Sequence, residues 1–416
     1  MAAPATLWRH RDFMLLWIGQ SVSVFGNQFT ALALPIIAIL ALGAGAAEMG
    51  ILGAAGTAAF PLIGLFVGVW VDRHRRRPVL IAGDLGRGII VGVVALLAFA
   101  SLLQMWILYV LSFLTGVLTV FFDVAYMAYL PSLVSRRQLV EGNSKLETTN
   151  SLSAVAGPGL AGAVIRILSV GWAMVFDAFS FFFAAAMMTG IRTPETVTSP
   201  ADRKHVWAEM REGLAVVFRD RRLWSIAGCT ATANLFANAT FAILFLYAKS
   251  DLGFTDETLA PAFGVIFSVG AIGGLLGAVT AGRLARRLGI GATIVLGSLI
   301  GGFAAVGILF ATPATAFVVL VGTFALLNFS ILVYNINQVS LRQALVPVRL
   351  QGRLNATMRF LVWGTVPLGS LLGGILGVVI GLRATVVVTV IGGLFAFAWV
   401  LFSPVRGLRE MPAPSE

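Results

Sequence analysis

Twelve apolar stretches, each long enough to cross a bilayer, run along this chain at residues 13–42, 48–71, 78–102, 105–127, 147–168, 171–191, 223–249, 258–281, 290–310, 313–338, 356–381 and 384–403. About 20 apolar residues in a helix span the hydrocarbon layer. No water is available there to satisfy exposed amides, so runs of this length are helical. Composition agrees: 58% of the 416 residues are hydrophobic, 11% are charged, and the mean hydropathy is +0.94. A soluble domain carries about 25% charged residues. The 46 glycines suit close helix–helix approach in lipid. The sequence therefore predicts an all-α membrane protein of twelve transmembrane helices.

Lys and Arg are distributed unevenly. Arg9 and Arg11, the Arg73–Arg77 loop, Arg87, Arg136, Arg137, Lys145, the 192–222 segment, Arg283–Arg287, Arg342–Arg359 and the tail hold 26 of the 29; only Arg166, Lys249 and Arg383 fall on the other side. The positive-inside rule then places both termini in the cytoplasm and requires an even number of spans. The net charge of +11 reads as a topology signal, with some attraction to anionic lipid, and not as a nucleic-acid footprint. The Ala-rich end of the first span, Ala44 to Ala47, mimics a signal cleavage site, but the apolar run is too long for a signal core and is read as an uncleaved span.

Several classes are excluded. The single Cys229 allows no internal disulfide, and His10, His74 and His205 lie apart in charged segments, so no metal site or other cofactor is expected. No phosphate-cradling Gly-x-x-x-x-Gly-Lys loop and no clustered nucleophile and base appear, which argues against an ATP-driven pump and a membrane enzyme. No charge ring or filter sequence supports a channel.

The longest hydrophilic stretch, 192–222, divides the spans six and six. Val206, Trp207, Met210, Leu214, Val217 and Phe218 within it have helical spacing, read as an amphipathic helix on the cytoplasmic face. The expected organisation is residues 1–191 as one six-helix bundle, 192–222 as linker, and 223–416 as a second bundle with a short tail. The halves repeat at an offset of 210–212. Arg73, Arg76 and Arg77 map onto Arg283, Arg286 and Arg287; Leu133, Val134, Arg137 and Asn143 onto Leu345, Val346, Arg349 and Asn355; Asp123 onto Asn335; and Gln28 onto Asn238. Two pseudo-symmetric bundles are a known carrier plan.

The loop after span 2 reads Gly68-Val69-Trp70-Val71-Asp72-Arg73-His74-Arg75-Arg76-Arg77. It resembles the Gly-x-x-x-Asp-Arg-x-Gly-Arg-Arg/Lys signature of the major facilitator superfamily, with Arg75 in place of glycine. That departure, Asp84-x-x-Arg87, Ala128–Val134 with Gly142-Asn143-Ser144, and Asp177–Phe181 are similar to the branch of bacterial macrolide-efflux and enterobactin-export proteins. Physically, Gly68 permits close helix approach, Asp72 can accept from a helix amino terminus, and the arginines can pair with Asp123. The resemblance implies a gating role for Gly68, Asp72, Arg73, Arg76, Arg77, Asp84, Arg87 and Asp123, favouring the outward-facing state; the alternative is that the arginines only enforce topology. In span 5, Gly157-Pro158-Gly159-Leu160-Ala161-Gly162 resembles the antiporter motif Gly-Pro-x-x-Gly-Gly, with a partial echo at Gly364 and Pro367. It implies exchange at a kink formed by Gly157, Pro158 and Gly162, although an ordinary kinked span reads the same way.

Polar residues inside spans are costly and mark function. Asn27 and Gln28 in span 1, Asn234 and Asn238 in span 7 and Asn328 in span 10 are expected to line a substrate cavity, with Phe29 and Phe241 adding aromatic contact; helix-to-helix hydrogen bonding and ring packing are the alternatives. Of the intramembrane carboxyls, Asp177 is the least constrained and is the candidate for proton coupling. The resemblance implies a monomeric secondary transporter of the bacterial inner membrane that exports small amphipathic molecules by proton-coupled antiport. Its partners would be the small-molecule substrate, the proton gradient and membrane lipids. An importer or a lysolipid flippase of the same fold is the alternative. On this reading Asp72→Asn leaves the protein folded and inserted but impairs transport; efflux from loaded cells at the unmodified rate removes the gating assignment.

Overall fold

The computed structural model describes residues 7–195 and 214–411, except for the side chains of Leu65, Asp72, Arg136, Val348 and Arg349. The expected amphipathic helix therefore lies mostly outside the described residues; residues 214–219 are helical, and Val217 is fully buried in the core of the second half. Among the described residues all regular structure is helical. The first half contains α1 (Arg11–Leu40), α2 (Ala46–Asp72), α3 (Arg76–Phe99), α4 (Met105–Leu133), α5 (Leu139–Ile167) and α6 (Val170–Thr189). The second contains α7 (Arg221–Ser250), α8 (Asp256–Leu288), α9 (Ile290–Val306), α10 (Ala316–Leu345), α11 (Val348–Trp363), α12 (Thr365–Val379) and α13 (Leu382–Leu394). Helices α11 and α12 form one span interrupted at Gly364. The last span continues past α13 through a 3-10 turn, Phe395–Phe397, to Leu401.

Eleven helices among the described residues are long and apolar enough to cross a membrane. The twelfth span is α5, at 29 residues, whose opening turns carry Glu141, Lys145 and Glu147. The sequence-based start at residue 147 is therefore about two turns too late. The reason is a polar face with partners: Glu141 accepts from the Leu7 amide at 3.2 Å, the Lys145 ammonium sits 3.6 Å from the centre of the Trp8 ring, and the Trp17 indole donates to Thr149 at 3.1 Å. Large apolar side chains such as Leu96, Met127, Val318 and Val379 are more than two-thirds exposed, as a lipid-facing surface requires.

The chain divides into two compact units, Met1–Gly43 with Ala55–Arg203, and Ala44–Ala54 with Lys204–Glu416. In the first, α1 packs on α6 and α5, and α3 packs on α6 and α4. In the second, α7 packs on α13 and α12, and α9 packs on α13 and α10. The same four pairings thus recur, with α1, α3, α4, α5 and α6 answered by α7, α9, α10, α12 and α13.

Apolar side chains gain little by moving from lipid to another helix, so close backbone contact does much of the holding. A Cβ on Gly273 or Gly277 of α8 would overlap the Ala325 or Phe329 carbonyl oxygen of α10. Gly369 and Gly373 of α12 meet the Leu235 and Ala239 carbonyls of α7 in the same way. Within the second unit, Gly50 and Gly374 approach so closely that a Cβ on Gly50 would lie 2.7 Å from the Gly374 Cα.

Gly273→Ala should force α8 from α10 and cost roughly 1–3 kcal/mol, as overpacking does, lowering the melting temperature in detergent by several degrees. Gly322→Ala on α10, where a Cβ meets nothing within 4 Å, should be neutral or stabilising by up to about 1 kcal/mol.

Candidate functional site

Among the described residues two polar features stand out inside the bundles. In the first unit α1, α3 and α6 enclose a charge cluster. Arg87 donates to Asp84 one turn earlier on α3 at 2.6 Å, and both side chains are buried. The guanidinium also donates to the Gly83 carbonyl at 3.3 Å and lies between two rings, 4.1 Å from the centre of Phe122 and 4.5 Å from that of Phe181. Across from it, Asp177 of α6 is fully buried and accepts from Ser180 at 3.1 Å. Gly26 makes this meeting possible: a Cβ there would overlap the Ser180 hydroxyl and sit 2.6 Å from Asp177 Oδ1. Arg87 acts on both carboxylates, with Gln20 beside Asp84 and Thr30 beside Asp177. Asp84 Oδ2, Gln20 Nε2 and Thr30 Oγ1 are buried without a hydrogen-bond partner among the described residues. The cluster thus holds two carboxyls and one cation.

Asp84 and Arg87, grouped by motif with the loop residues, lie inside the third span, where the apolar stretch 78–102 puts them. They are core residues of α3, and Asp177 is the third member of their cluster. One of the loop arginines, Arg77, reaches the end of α6. Arg77 donates from Nε to the Met188 carbonyl at 2.9 Å and from Nη2 to the Thr189 carbonyl at 2.5 Å, the open end of α6. A cation at a helix carboxyl end is favourable, because the unsatisfied carbonyls carry partial negative charge. The amino end of α3 is closed by Glu195, whose carboxylate accepts the Arg76 and Arg77 amides at 2.6 and 2.8 Å. Asp12 of α1 accepts from the Arg192 and Thr193 amides at 3.0 and 2.8 Å. The segment leaving α6 is thereby tied across the ends of α1, α3 and α6. In the second unit the tail plays the corresponding part: the Leu408 and Arg409 carbonyls accept the Gly291 and Ile290 amides at the start of α9.

Arg77 is engaged by the end of α6. Arg73 is exposed and Asp123 half-buried; the Asp72 side chain lies outside the described residues. Close approach at Gly68 is also not found, since a Cβ there meets nothing within 4 Å among the described residues. Beside it Trp70 stacks on His74 and meets Phe121 edge-on at 5.3 Å, and these rings line that stretch of α2.

The second feature is a cavity of about 440 Å³ inside the second unit, walled by α7, α9, α10 and α13. It brings together four of the sequence-derived candidates, Asn234, Asn238, Phe241 and Asn328, and adds Cys229, Thr230, Ser298, Tyr334 and Thr389. The other three candidates belong to α1 in the first unit. Asn27 is exposed, Gln28 packs its stem on Gly157 of α5, and Phe29 stands 6.1 Å from the Phe176 ring. Gly157 serves close packing, since a Cβ would lie 2.5 Å from Gln28 Cγ; α5 runs on as a helix through Pro158 and past Gly162, both buried. Glu195, Gln20, Thr30 and Tyr334 were not visible as site residues in the sequence. The repeat offset does pair Gln20 with Thr230 and Phe122 with Tyr334, and that signal leads to the cavity wall.

Membrane-crossing helices in two repeated bundles, one sealed around charge and one hollow with a mostly apolar wall and a few polar groups, define a multi-pass transporter. The Major Facilitator Superfamily model matches residues 16–366, and the chain belongs to that superfamily. It is 24% identical over 375 residues to macrolide efflux protein A of Streptococcus pyogenes, covering 89% of this chain and 90% of that protein. It is 29% identical over 402 residues to the multidrug efflux pump Tap of Mycolicibacterium fortuitum, covering 94% and 95%. Enterobactin exporter EntS of Salmonella choleraesuis is 28% identical over 298 residues, covering 70% and 68%. Its fold is similar to that of a bacterial homologue of the iron transporter ferroportin in its inward-facing state, with a TM-score of 0.71 at 20% identity over 94% of this chain and 98% of that one. A bacterial homologue of the lysosomal transporter Spinster gives 0.73 at 14% identity, over 95% and 97%. The resemblance to the macrolide-efflux and enterobactin-export branch holds, and the chain is a transporter and not an enzyme.

Removing one partner of a buried ion pair leaves an uncompensated charge and costs about 3–5 kcal/mol, whereas replacing the pair with apolar residues is often neutral. Arg87→Met should therefore lower thermal stability in detergent sharply. Adding Asp84→Leu and Asp177→Leu to it should recover most of the loss.

Proposed function

We propose that this transporter exports small amphipathic molecules of the drug, macrolide or siderophore kind by alternating access, in exchange for protons. The observation that carries the reading is the cavity of the second unit: an apolar wall set with four asparagine side chains, Asn234, Asn238, Asn328 and Asn335, and hydroxyls, and with no charged side chain among its lining residues. Such a surface suits a molecule that is apolar over most of its area and hydrogen-bonds at a few points. The relatives named for macrolide, multidrug and enterobactin efflux support the same class. The protein acts as a monomer in the bacterial inner membrane, with both termini cytoplasmic as its Lys and Arg distribution requires. Residues 1–191 and 223–416 form the two moving bundles, joined by the 192–222 linker, and the loop containing Asp72 and Arg73 governs closure.

The proton-carrying element is the cluster of Asp84, Arg87 and Asp177, with Asp177 as the carrier. Two carboxylates facing one guanidinium leave an excess negative charge in the membrane interior, which is costly unless a proton neutralises it. Asp84 and Arg87 face it from α3 and uncharged Gln20 and Thr30 from α1; from α4 come Phe122 and the Tyr126 ring stacked on it.

A susceptibility and accumulation panel in an efflux-deficient host tests the reading. Expression should lower intracellular macrolide or dye several-fold, and a protonophore should abolish the difference. A protein that raises accumulation is an importer. Asp177→Asn should keep downhill exchange but lose concentrative export by tenfold or more; protonophore-sensitive export at the unmodified rate removes Asp177 from the coupling step.

A further inference from the structure

The offsets that relate the charged loops also relate the interiors of the two bundles. At 210, Gln20 and Thr30 of α1 correspond to Thr230 and Thr240 of α7, and Arg87 of α3 to Gly297 of α9. At 212, Phe122 of α4 corresponds to Tyr334 of α10, and Asp177 and Phe181 of α6 to Thr389 and Gly393 of α13. The contacts support these pairings. Asp177 lies beside Thr30, and Thr389 is hydrogen-bonded to Thr240 at 2.8 Å. Phe122 lies against Arg87, and a Cβ on Gly297 would touch the Tyr334 Cβ at 3.1 Å.

The equivalent volumes are thus filled in one bundle and open in the other. In the first unit the Arg87 side chain occupies the space between the Phe122 and Phe181 rings. In the second, glycine stands at both the Arg87 and the Phe181 positions, Thr389 replaces a carboxylate, and Ile294 replaces Asp84. The cavity lies where the charge cluster would be.

Its wall has a chemical bias. Asn234, Asn238 and Asn328 each donate from the amide nitrogen to a backbone carbonyl, of Val362, Asn234 and Phe324, at 3.3, 2.8 and 2.9 Å. Thr230, Thr389 and Ser330 likewise donate to the Ile226, Thr385 and Leu327 carbonyls at 2.9, 2.8 and 2.7 Å. Each of these asparagines keeps its second amide hydrogen and its carbonyl oxygen, so the wall offers a guest neutral donors and acceptors together. A cationic guest would meet no carboxylate there to offset its desolvation. At ~30 Å³ per water the volume equals about fifteen waters, which suits one limb of a larger molecule.

We infer that the interior of the second bundle is a substrate subsite for an uncharged limb rich in hydroxyls, which both donate and accept hydrogen bonds. The subsite rests on the exporter reading for its biological use, but its binding chemistry stands apart from it. Glycine at the two bulky positions opens the space, and neutral amide and hydroxyl groups select what enters.

The lone cysteine supplies the test, because Cys229 lines the cavity with its sulfur 3.3 Å from the Ser298 hydroxyl. The probe is tritiated erythronolide B, an uncharged macrolactone bearing several hydroxyls, compared with its O-methylated derivative. Purified full-length protein is assayed by equilibrium dialysis, and by the rate of Cys229 alkylation with N-ethylmaleimide with and without probe. Erythronolide B should bind and slow alkylation at least fivefold; the O-methylated probe should bind at least tenfold more weakly. Gly393→Phe, which restores the bulk of Phe181 where a Cβ meets only the Phe236 Cβ at 3.4 Å, should abolish binding. Asn328→Leu, which removes an acceptor without filling the space, should weaken it about tenfold, and this variant keeps the test open if Gly393→Phe does not fold. Equal binding of the two probes, or binding unaffected by either variant, overturns the inference. Cellular accumulation of erythronolide B separates the two claims. Expulsion without binding in the cavity sinks the subsite alone. Binding without expulsion sinks the export reading alone.

Discussion

Lipid removes the force that packs soluble proteins. A leucine leaving hydrocarbon for a helix interface gains little, so these bundles depend on how closely two backbones can approach. Glycine decides where that happens. Gly273 and Gly277 press α8 onto the carbonyls of α10, and Gly369 and Gly373 press α12 onto those of α7. Gly26 does the same for α1 and α6, but what it admits is polar: it makes room for Ser180 and Asp177 against the helix backbone. The close packing that holds a bundle together therefore also fixes which buried polar groups can meet.

Helix ends raise a second demand, because the first four amides and last four carbonyls of each helix lack partners within it. The first unit meets part of this with charge. Glu195 closes the start of α3, Arg77 the end of α6, and Asp12 gathers the chain as it leaves α6. The second unit closes the start of α9 with the tail's own carbonyls. The outcome matches in position, since the segment following the sixth span of each half covers the start of the third, while the chemistry differs. Conserved geometry with altered chemistry also describes the interiors of the two bundles.

The architecture was readable in the sequence because its signals are long or repeated. Apolar runs marked the spans, and a shared offset of 210–212 related the halves even where single matches were weak. The error at α5 arose because its polar first turns look like loop until Leu7, Trp8 and Trp17 are seen to cover them. Asp84 and Arg87 were read within the third span as part of a gating motif; what the motif does not show is that helical phase turns them toward α1 and α6, where Asp177 joins them. Glu195 gave no signal, being one carboxylate more than a hundred residues from the helix it caps. Asn234, Asn238 and Asn328 announced the cavity as polar residues in apolar spans. The hollow itself could not be announced that way, since missing bulk at Gly297 and Gly393 is legible only beside Arg87 and Phe181.

The difference between the interiors also restricts how one could have become the other. Loss of the Arg87 guanidinium alone would strand Asp84 and Asp177 in a dry core, a change of several kcal/mol. Loss of one carboxylate alone would be milder, because the other still faces the cation. A path from a filled to a hollow bundle therefore removes one carboxylate first and then the remaining ion pair together, and a path in the reverse sense admits the arginine only alongside a partner. Ile294, Gly297 and Thr389 are together a fully discharged end state, while Asp84, Arg87 and Asp177 are together a charged one. Residues that face one another in a low-dielectric core couple in this way. A single substitution in either cluster is thus a poor guide to what the whole set does.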